Sequence, residues 1–170
     1  MIILVMGVAG SGKTTLAKAL AKHLGWEFQE GDDFHPLANI NKMKAGMPLS
    51  DSDRMPWLDN VRSWIDGKLA EGRSGVITCS ALRRAYRTYL GLGREGIQIV
   101  FIGGNTGIIE DRLRGRSGHY MPPSLLPSQL EILEPPMEDE KPILVDVGMT
   151  TDAQIEVVRR HLSIWPTPPG

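Results

Sequence analysis

Residues 7 to 14 have the types and spacing that suit the binding of phosphate groups. They read Gly7-Val8-Ala9-Gly10-Ser11-Gly12-Lys13-Thr14 and fit the P-loop pattern GxxxxGK followed by Ser or Thr. The glycines let backbone N–H groups converge on phosphate oxygens, because no Cβ atom obstructs them. We expect Lys13 to reach the β- and γ-phosphates and Thr14 to bind Mg²⁺, with Thr15 also at the nucleotide. The segment therefore predicts a site for ATP and its magnesium ion.

Two adjacent acids, Asp32 and Asp33, form the other conspicuous cluster, between Gly31 and the pair His35-Pro36. They follow a short apolar run, so we expect Asp32 to end a strand and to face the P-loop across a cleft. If the backbone is still extended there, Asp33 points the other way. A local salt bridge or a helix cap suits Asp33 better than chemistry.

Arg112 and Arg116 are spaced i, i+4 on one predicted helix face, just before the Gly-containing segment RSGHYMPP. Two guanidinium groups on a segment that can close would neutralise the charge that develops on a transferred phosphoryl group. We therefore predict a mobile lid at about residues 112–136. A solvated basic helix end, favoured by the helix dipole, is the alternative interpretation.

Short apolar strands alternate with helices along the whole chain, and these elements must position the candidate residues. Strands are predicted at 2–6, 26–29, 76–79, 97–102 and 143–147, and helices at 13–24, 36–45, 54–71, 83–92, from 105, and at 152–164. Asp51 or Ser52 is expected to cap the third helix. The pattern predicts one α/β domain over residues 1–170, a three-layer αβα sandwich around a parallel five-stranded sheet. Ligands of such sheets bind beyond the carboxyl ends of the strands.

Three classes of P-loop protein are compatible with the phosphate site: a small-molecule kinase, a GTPase switch, and an ATPase or binding module. A GTPase needs an NKxD base-recognition motif, and the only candidate, 41–44, lacks the aspartate. An ATPase usually needs an aspartate at the end of a long apolar strand beside the P-loop strand, where this chain has Ser80. The kinase class is favoured, with shikimate-kinase-like and nucleotide-kinase-like chemistry still open.

The net charge, the cysteine content and the lengths of the apolar runs argue against nucleic acid and membranes as partners, and they suggest a compartment. The net charge is −1, so no overall field attracts nucleic acid or an anionic membrane. The single cysteine, Cys79, excludes an internal disulfide. No apolar run approaches the length of a membrane span and no signal peptide is evident, so we expect a cytoplasmic protein.

Beyond the P-loop, several strings from Met6 to about Pro136 resemble the short P-loop family of gluconate kinases. They are Gly31-Asp32, His35-Pro36, Asn39-Ile40, Lys42-Met43, Gly46, Pro48-Leu49, Asp51, Asp53-Arg54, Pro56-Trp57-Leu58, Cys79-Ser80-Ala81-Leu82-Arg83, Tyr86-Arg87, Arg112-Leu113, Arg116, Gly118-His119, Gln129, Leu133-Glu134 and Pro136. The P-loop alone would not separate this family from shikimate or nucleotide kinases. The chain departs from the family pattern at Arg83, where lysine is more common, and at Asp33, where an apolar residue is common.

The resemblance implies ATP-dependent phosphorylation of D-gluconate to 6-phospho-D-gluconate, with Mg²⁺ as cofactor and a homodimer as a family-level expectation. It implies that Asp32 accepts the proton of the 6-hydroxyl group or orients that group, and holds a Mg²⁺-bound water. Lys13 and Arg116 are the other catalytic residues expected, and Arg112 and Arg116 would contact the nucleotide.

The resemblance also directs attention to residues that could hold the sugar acid. Arg54, at a helix start, is the best candidate for the gluconate carboxylate. Arg83 and Arg87 could hold either the carboxylate or the phosphoryl group. His35 offers a neutral donor and acceptor to the polyol, or only closes a turn. His119 lies in the predicted lid as a further substrate-binding candidate with an open role.

Overall fold

The chain is described by a computed structural model that covers residues 1–116 and 122–162. Five strands form one sheet with the order β2-β3-β1-β4-β5. They are β1 (Ile2–Met6), β2 (Glu27–Gln29), β3 (Gly75–Thr78), β4 (Ile97–Gly103) and β5 (Ile143–Asp146). Every neighbouring pair is parallel. The predicted parallel five-stranded sheet is confirmed.

The helices alternate with the strands as the sequence pattern indicates. They are α1 (Lys13–Leu24), α2 (Leu37–Lys44), α3 (Asp51–Ala70), α4 (Arg84–Tyr89), α5 (Thr106–Arg114), α6 (Leu126–Ile132) and α7 (Thr151–His161). Short 3-10 turns occupy Gly31–Phe34, Pro123–Leu125 and Glu138–Glu140. Among the described helices, none is both long and apolar enough to cross a membrane.

The core has two halves, one on each face of the sheet, because successive side chains of a strand point to opposite sides. Ile3 and Val5 of β1 pack in the same cluster as Leu16 of α1 and Val158 of α7. Ile2, Leu4 and Met6 pack in the other cluster, with α3 residues that include Val61 and Ile65. Helices therefore cover both faces, and the predicted three-layer sandwich is confirmed.

The start of α3 differs from the sequence expectation. The helix begins at Asp51 and its cap is Ser50, so the predicted caps at Asp51 or Ser52 are wrong. Ser50 Oγ accepts from Asp53 N at 3.1 Å, and Asp53 Oδ2 accepts from Ser50 N at 2.9 Å. This reciprocal capping box satisfies two backbone donors at once, so the helix starts three residues before Arg54.

Candidate active site

A cavity of about 510 Å³ opens at the carboxyl edge of the sheet, beside the P-loop. The predicted site residues that line it are Ala9, Gly10, Ser11, Gly12, Lys13, Thr14, Thr15, Asp32, His35, Arg54, Arg112 and Arg116. Gly7 and Val8 begin the P-loop below it and are buried. Arg83 and Arg87 do not line it. His119 lies outside the described residues.

The P-loop connects β1 to α1 through a turn that needs glycine. Gly10 has φ of 79°, and a Cβ atom there would lie 2.6 Å from Cγ of Leu113. Gly12, the residue before α1, has φ of 96°. A side chain at either position would strain the backbone, and at Gly10 it would also collide with α5. The loop is therefore free to present its amides at the start of α1, where the helix dipole favours an anion.

Lys13 lies in the first turn of α1, with its ammonium group folded back over the loop. Its Nζ donates to the carbonyl oxygen of Val8 at 3.1 Å. Enclosure by protein atoms lowers the pKa of Lys13 from its usual value, while the charges of Asp32 and Glu30 act in the opposite direction. A bound triphosphate would add negative charge and favour the ammonium form further.

Glu30 is a site residue that sequence reasoning missed. Its Oε2 accepts from Oγ1 of Thr14 at 2.6 Å, and its Oε1 accepts from the hydroxyl group of Thr78. The carboxylate thus joins the P-loop to the end of β3. Glu30 is in the same EGDDFHP stretch as Asp32 and Asp33. The sequence pattern does not indicate which of these three acids would contact Thr14.

The acid pair lies in a 3-10 turn, Gly31–Phe34, because β2 already ends at Gln29. The expectation that Asp32 ends the strand is therefore wrong by three residues. Asp32 still lines the cavity, with a side chain 24% exposed. Asp33 is exposed and does not line it. Asp32 therefore lines the cavity and Asp33 does not, which is the difference that the family pattern indicated.

Gly31 fixes the position of this turn. A Cβ atom on Gly31 would lie 1.8 Å from the carbonyl oxygen of Thr78, a distance that no side chain can occupy. Its N–H donates to Oγ1 of Thr78 at 3.0 Å, and its carbonyl accepts from Nε1 of Trp57 at 2.9 Å. The turn is therefore tied to both β3 and α3, and Asp32 follows directly from this anchored residue.

His35 is buried beside Asp32, so it both ends the turn and lines the cavity. Its ring stacks on Trp57, with ring centroids 4.3 Å apart. Nε2 lies 3.9 Å from Oδ1 of Asp32. Burial, reinforced by the charge of Arg54, lowers the pKa of His35 from 6.5 to about 4. The ring is therefore neutral at neutral pH.

Arg54 projects into the cavity from the first turn of α3 and is oriented by a tyrosine. Its Nη1 donates to the hydroxyl oxygen of Tyr86 at 3.2 Å, and that hydroxyl group donates to Asp51. Arg83 pairs with the same aspartate, with Nε 3.7 Å from Oδ1 of Asp51. Arg54 therefore lines the cavity, whereas Arg83 does not.

Arg87 is not available to a ligand, which corrects the prediction that it holds the carboxylate or the phosphoryl group. Only 1% of its side chain is exposed. Nε and Nη2 donate to the two carboxylate oxygens of Glu140 at 2.6 and 3.1 Å, and Nη1 donates to the carbonyls of Ala81 and Leu82. The guanidinium group is a structural link between α4 and the turn at Glu138–Glu140.

The helices α5 and α6, which flank the undescribed residues 117–121, both contact the P-loop. Arg112 of α5 donates through Nη1 to the carbonyl of Ser11 at 3.3 Å and through Nη2 to that of Val147 at 2.9 Å. Oε1 of Gln129, on α6, accepts from the amide of Ala9 at 2.7 Å. Arg116 lines the cavity and is exposed. Gln129 is among the residues that carry the family resemblance, but the sequence pattern did not indicate its contact with Ala9, which is 120 positions away.

The oxygen atoms near Thr14 fit a magnesium ion that is bound mainly by phosphates and water. Mg²⁺ prefers hard oxygen ligands and usually keeps several waters, with one or two protein ligands. Thr14 supplies a hydroxyl oxygen beside the Glu30 carboxylate. Over residues 1–116 and 122–162, no group of three or more His, Cys, Asp or Glu side chains could hold a metal ion without other ligands.

Comparison with known proteins identifies the fold and the family of the chain. Residues 3–45, from β1 to the end of α2, match the family model described as ATPase family associated with various cellular activities (AAA). That match covers less than half of the chain and supports the P-loop fold. A protein of Gluconobacter oxydans named gluconokinase is 49% identical over 159 residues, which cover 94% of this chain and 89% of that protein.

Two solved structures are similar over almost the whole chain. A sugar kinase from a Janibacter species is 43% identical with a TM-score of 0.87, and covers 94% of this chain and 92% of its own. A gluconokinase from Sinorhizobium meliloti is 42% identical with a TM-score of 0.78, and covers 91% of this chain and 87% of its own. With that identity and coverage, and with a P-loop and an acid on one cavity, the chain belongs to the gluconokinase family of P-loop kinases.

Proposed function

We propose that this enzyme transfers the γ-phosphoryl group of ATP to the 6-hydroxyl group of D-gluconate, which gives ADP and 6-phospho-D-gluconate. The observation that supports the proposal most directly is that one cavity joins the P-loop to Asp32 and Arg54. Phosphoryl transfer requires little covalent chemistry from the protein, so placement and charge stabilisation account for most of the catalysis.

The P-loop amides and Lys13 hold the β- and γ-phosphates in this proposal. Asp32 accepts a hydrogen bond from the attacking hydroxyl group, orients its oxygen towards the γ-phosphorus and takes its proton as the bond to phosphorus forms. Arg116 neutralises charge on the transferred group, and Arg112 fastens α5 to the P-loop. The leaving group is ADP, whose β-phosphate stays in the P-loop.

Thr14 would bind the magnesium ion through its hydroxyl oxygen, and Asp32, which lines the same cavity, would hold a Mg²⁺-bound water. When bound, Mg²⁺ neutralises charge on the β- and γ-phosphates. The Glu30 carboxylate keeps the Thr14 hydroxyl group in place, since it accepts a hydrogen bond from that group at 2.6 Å and another from Thr78.

Arg54 recognises the carboxylate of gluconate in this proposal. A guanidinium group pairs with a carboxylate through two parallel hydrogen bonds, and the N-terminus of α3 adds a favourable dipole. The Tyr86 hydroxyl group takes up one donor of Arg54 and limits its rotation. Glucose lacks the carboxylate, so it is expected to be a poor substrate because the arginine would remain unpaired.

A coupled ADP-release assay tests the proposal over gluconate, other aldonates, shikimate, glucose and nucleoside monophosphates. We expect gluconate to give the highest kcat/KM, with one phosphorylated product per ADP and no turnover in Lys13→Ala. Faster turnover of shikimate or a nucleoside monophosphate would contradict it. Slow hydrolysis that no acceptor accelerates would instead indicate a nucleotide switch.

Three further expectations belong to this proposal. The lid at residues 112–136 would close over both substrates, with His119 as a substrate-binding candidate. The single cysteine suits a reducing compartment, and we propose that the enzyme works in the cytoplasm. Its substrate is a small molecule rather than nucleic acid or a membrane, and a homodimer is the expected assembly.

A further inference from the structure

Asn39 is a buried polar residue of α2 that the proposed mechanism does not use. Its Nδ2 donates to the backbone carbonyl of Asp53 at 2.8 Å and lies 3.3 Å from Nδ1 of His35. A carbonyl oxygen can only accept, so the atom that faces Asp53 must belong to the amide NH₂ group. The contact with Asp53 thus fixes which way the Asn39 side chain points. Its second N–H is then directed at His35.

This contact determines which nitrogen of His35 carries the proton. An amide NH₂ group only donates, so Nδ1 must accept and is unprotonated. In a neutral imidazole ring the proton is then on Nε2. A ring turned over by 180° would direct a carbon atom at Asn39 and leave a buried N–H without an acceptor. Stacking on Trp57 further restricts the ring to this plane.

The Nε2–H group faces the carboxylate of Asp32 across a gap. The two atoms are 3.9 Å apart, which is too far for a direct hydrogen bond. A hydroxyl oxygen placed about 2.8 Å from each atom would accept from Nε2–H and donate to Asp32. Both residues line the cavity, so a substrate hydroxyl group can reach this place.

We propose that Asn39 is a positioning residue that keeps the proton of His35 on Nε2. His35 then donates a hydrogen bond to one substrate hydroxyl group, and Asp32 accepts a hydrogen bond from the same group. The inference rests on the proposed function and adds a rule of specificity to it. The pair selects an alcohol, because a carbonyl oxygen cannot donate to Asp32 and an ammonium group cannot accept from His35. The hydrogen of the bound alcohol is directed at Asp32, which is the orientation that proton transfer to this carboxylate requires.

The proton position can be measured without any substrate. Long-range ¹H–¹⁵N spectra of the ¹⁵N-labelled protein at pH 7 distinguish protonated from unprotonated ring nitrogens. The His35 signals are those that disappear in His35→Gln. We expect an unprotonated Nδ1 and a protonated Nε2. A proton on Nδ1 in the wild-type protein would overturn the inference.

The Asn39→Asp variant tests the role of Asn39. A carboxylate can only accept, so Nδ1 of His35 should become protonated, as the other tautomer or as imidazolium. The KM for gluconate should rise by about tenfold, because the donor geometry at the hydroxyl group is lost, while the KM for ATP stays within about twofold. Asn41→Asp is the matched control, since it makes the same change at an exposed position of the same helix and should change neither quantity.

The outcomes separate this inference from the proposed function. An unprotonated Nδ1 in folded Asn39→Asp, or an unchanged KM for gluconate, would overturn the inference while gluconate phosphorylation stands. If Asn39→Asp does not fold by circular dichroism, the wild-type spectrum decides alone. A wild-type enzyme that does not phosphorylate gluconate would refute the proposed function, and the spectrum would still report the tautomer.

Discussion

Asp32 and Asp33 are adjacent in sequence, but they lie in different surroundings. Asp32 lines the cavity beside Lys13 and His35, whereas Asp33 is exposed. Gly31 anchors the turn directly before Asp32, because it approaches β3 too closely for any side chain. At the scale of single residues, backbone contact rather than charge decides which acid lines the cavity.

Asp32→Asn should lower kcat by two or more orders of magnitude, roughly the contribution of a positioned general base. The amide keeps the shape but cannot accept a proton from the hydroxyl group. Asp33→Asn, which makes the same change one residue away, should leave kcat within about twofold. Steady-state kinetics with purified proteins measures both, and wild-type turnover in Asp32→Asn would remove this residue from the chemistry.

Arg54→Leu should mainly raise the KM for gluconate, because the carboxylate loses its charged partner in the cavity. The expected loss is about 10- to 100-fold in kcat/KM for a charged hydrogen-bonded contact. Arg62→Leu removes an exposed arginine of the same helix that pairs with Asp66 and should have little effect. If Arg54→Leu keeps the wild-type KM, another residue recognises the carboxylate.

At the scale of elements, a buried ion pair holds α4 against the segment that follows α6. The buried guanidinium group of Arg87 donates two parallel hydrogen bonds to the partly buried carboxylate of Glu140. Burial alone would raise the pKa of Glu140, but the hydrogen bonds from Arg87 and from the amide of Met137 lower it overall. The pair is ionised at neutral pH and links two elements that are far apart in sequence.

Arg87→Met should lower the free energy of unfolding by about 2–3 kcal/mol, because Glu140 would lose its guanidinium partner and the carbonyls of Ala81 and Leu82 would lose a donor. Arg84→Met is the matched control on the same helix, since it breaks an exposed pair with Asp139. Urea denaturation should show a large shift for the first variant and almost none for the second. A folded Arg87→Met protein with wild-type stability and a raised KM for gluconate would restore the substrate-binding role that the structure removes.

The strands and the P-loop were predictable because their signals are local. Apolar runs such as Ile2–Met6 and the spacing of Gly7 to Thr14 need no knowledge of distant residues. The partners of Glu30 and Arg87 were not predictable, because they depend on which side chains meet after folding. Arg87 and Arg54 carry the same charge in the sequence. Only the folded structure shows that Arg87 is buried, whereas Arg54 lines the cavity.

At the scale of the whole molecule, the pH dependence of stability should reflect the buried histidine and the paired carboxylates. The pKa of His35 is lowered from 6.5 to about 4, so the unfolded chain binds more protons between these values. Its contribution to stability is present above pH 6.5 and is lost as the pH falls towards 4. The pKa values of Asp53 and Glu156 are lowered to about 2, so their contributions are lost at still lower pH.

Urea denaturation at pH 7, 5 and 3 should therefore show stability falling in two stages. His35→Gln has no ring to protonate and should lack the upper stage, from pH 6.5 to 4. Added salt should weaken the lower stage, because the carboxylate pairs are near the surface. Equal stability of the wild-type protein at pH 7 and pH 5 would show that His35 is not held in its neutral form.

The proposed placement of Asp32 between the two substrates is tested most directly by a crystal structure with gluconate and a non-hydrolysable ATP analogue. We predict the triphosphate in the P-loop, with the 6-hydroxyl oxygen within hydrogen-bonding distance of Asp32 and in line with the γ-phosphorus. A complex in which the Asp32 carboxylate points away from the γ-phosphate, with another group beside the 6-hydroxyl oxygen, would contradict this mechanism.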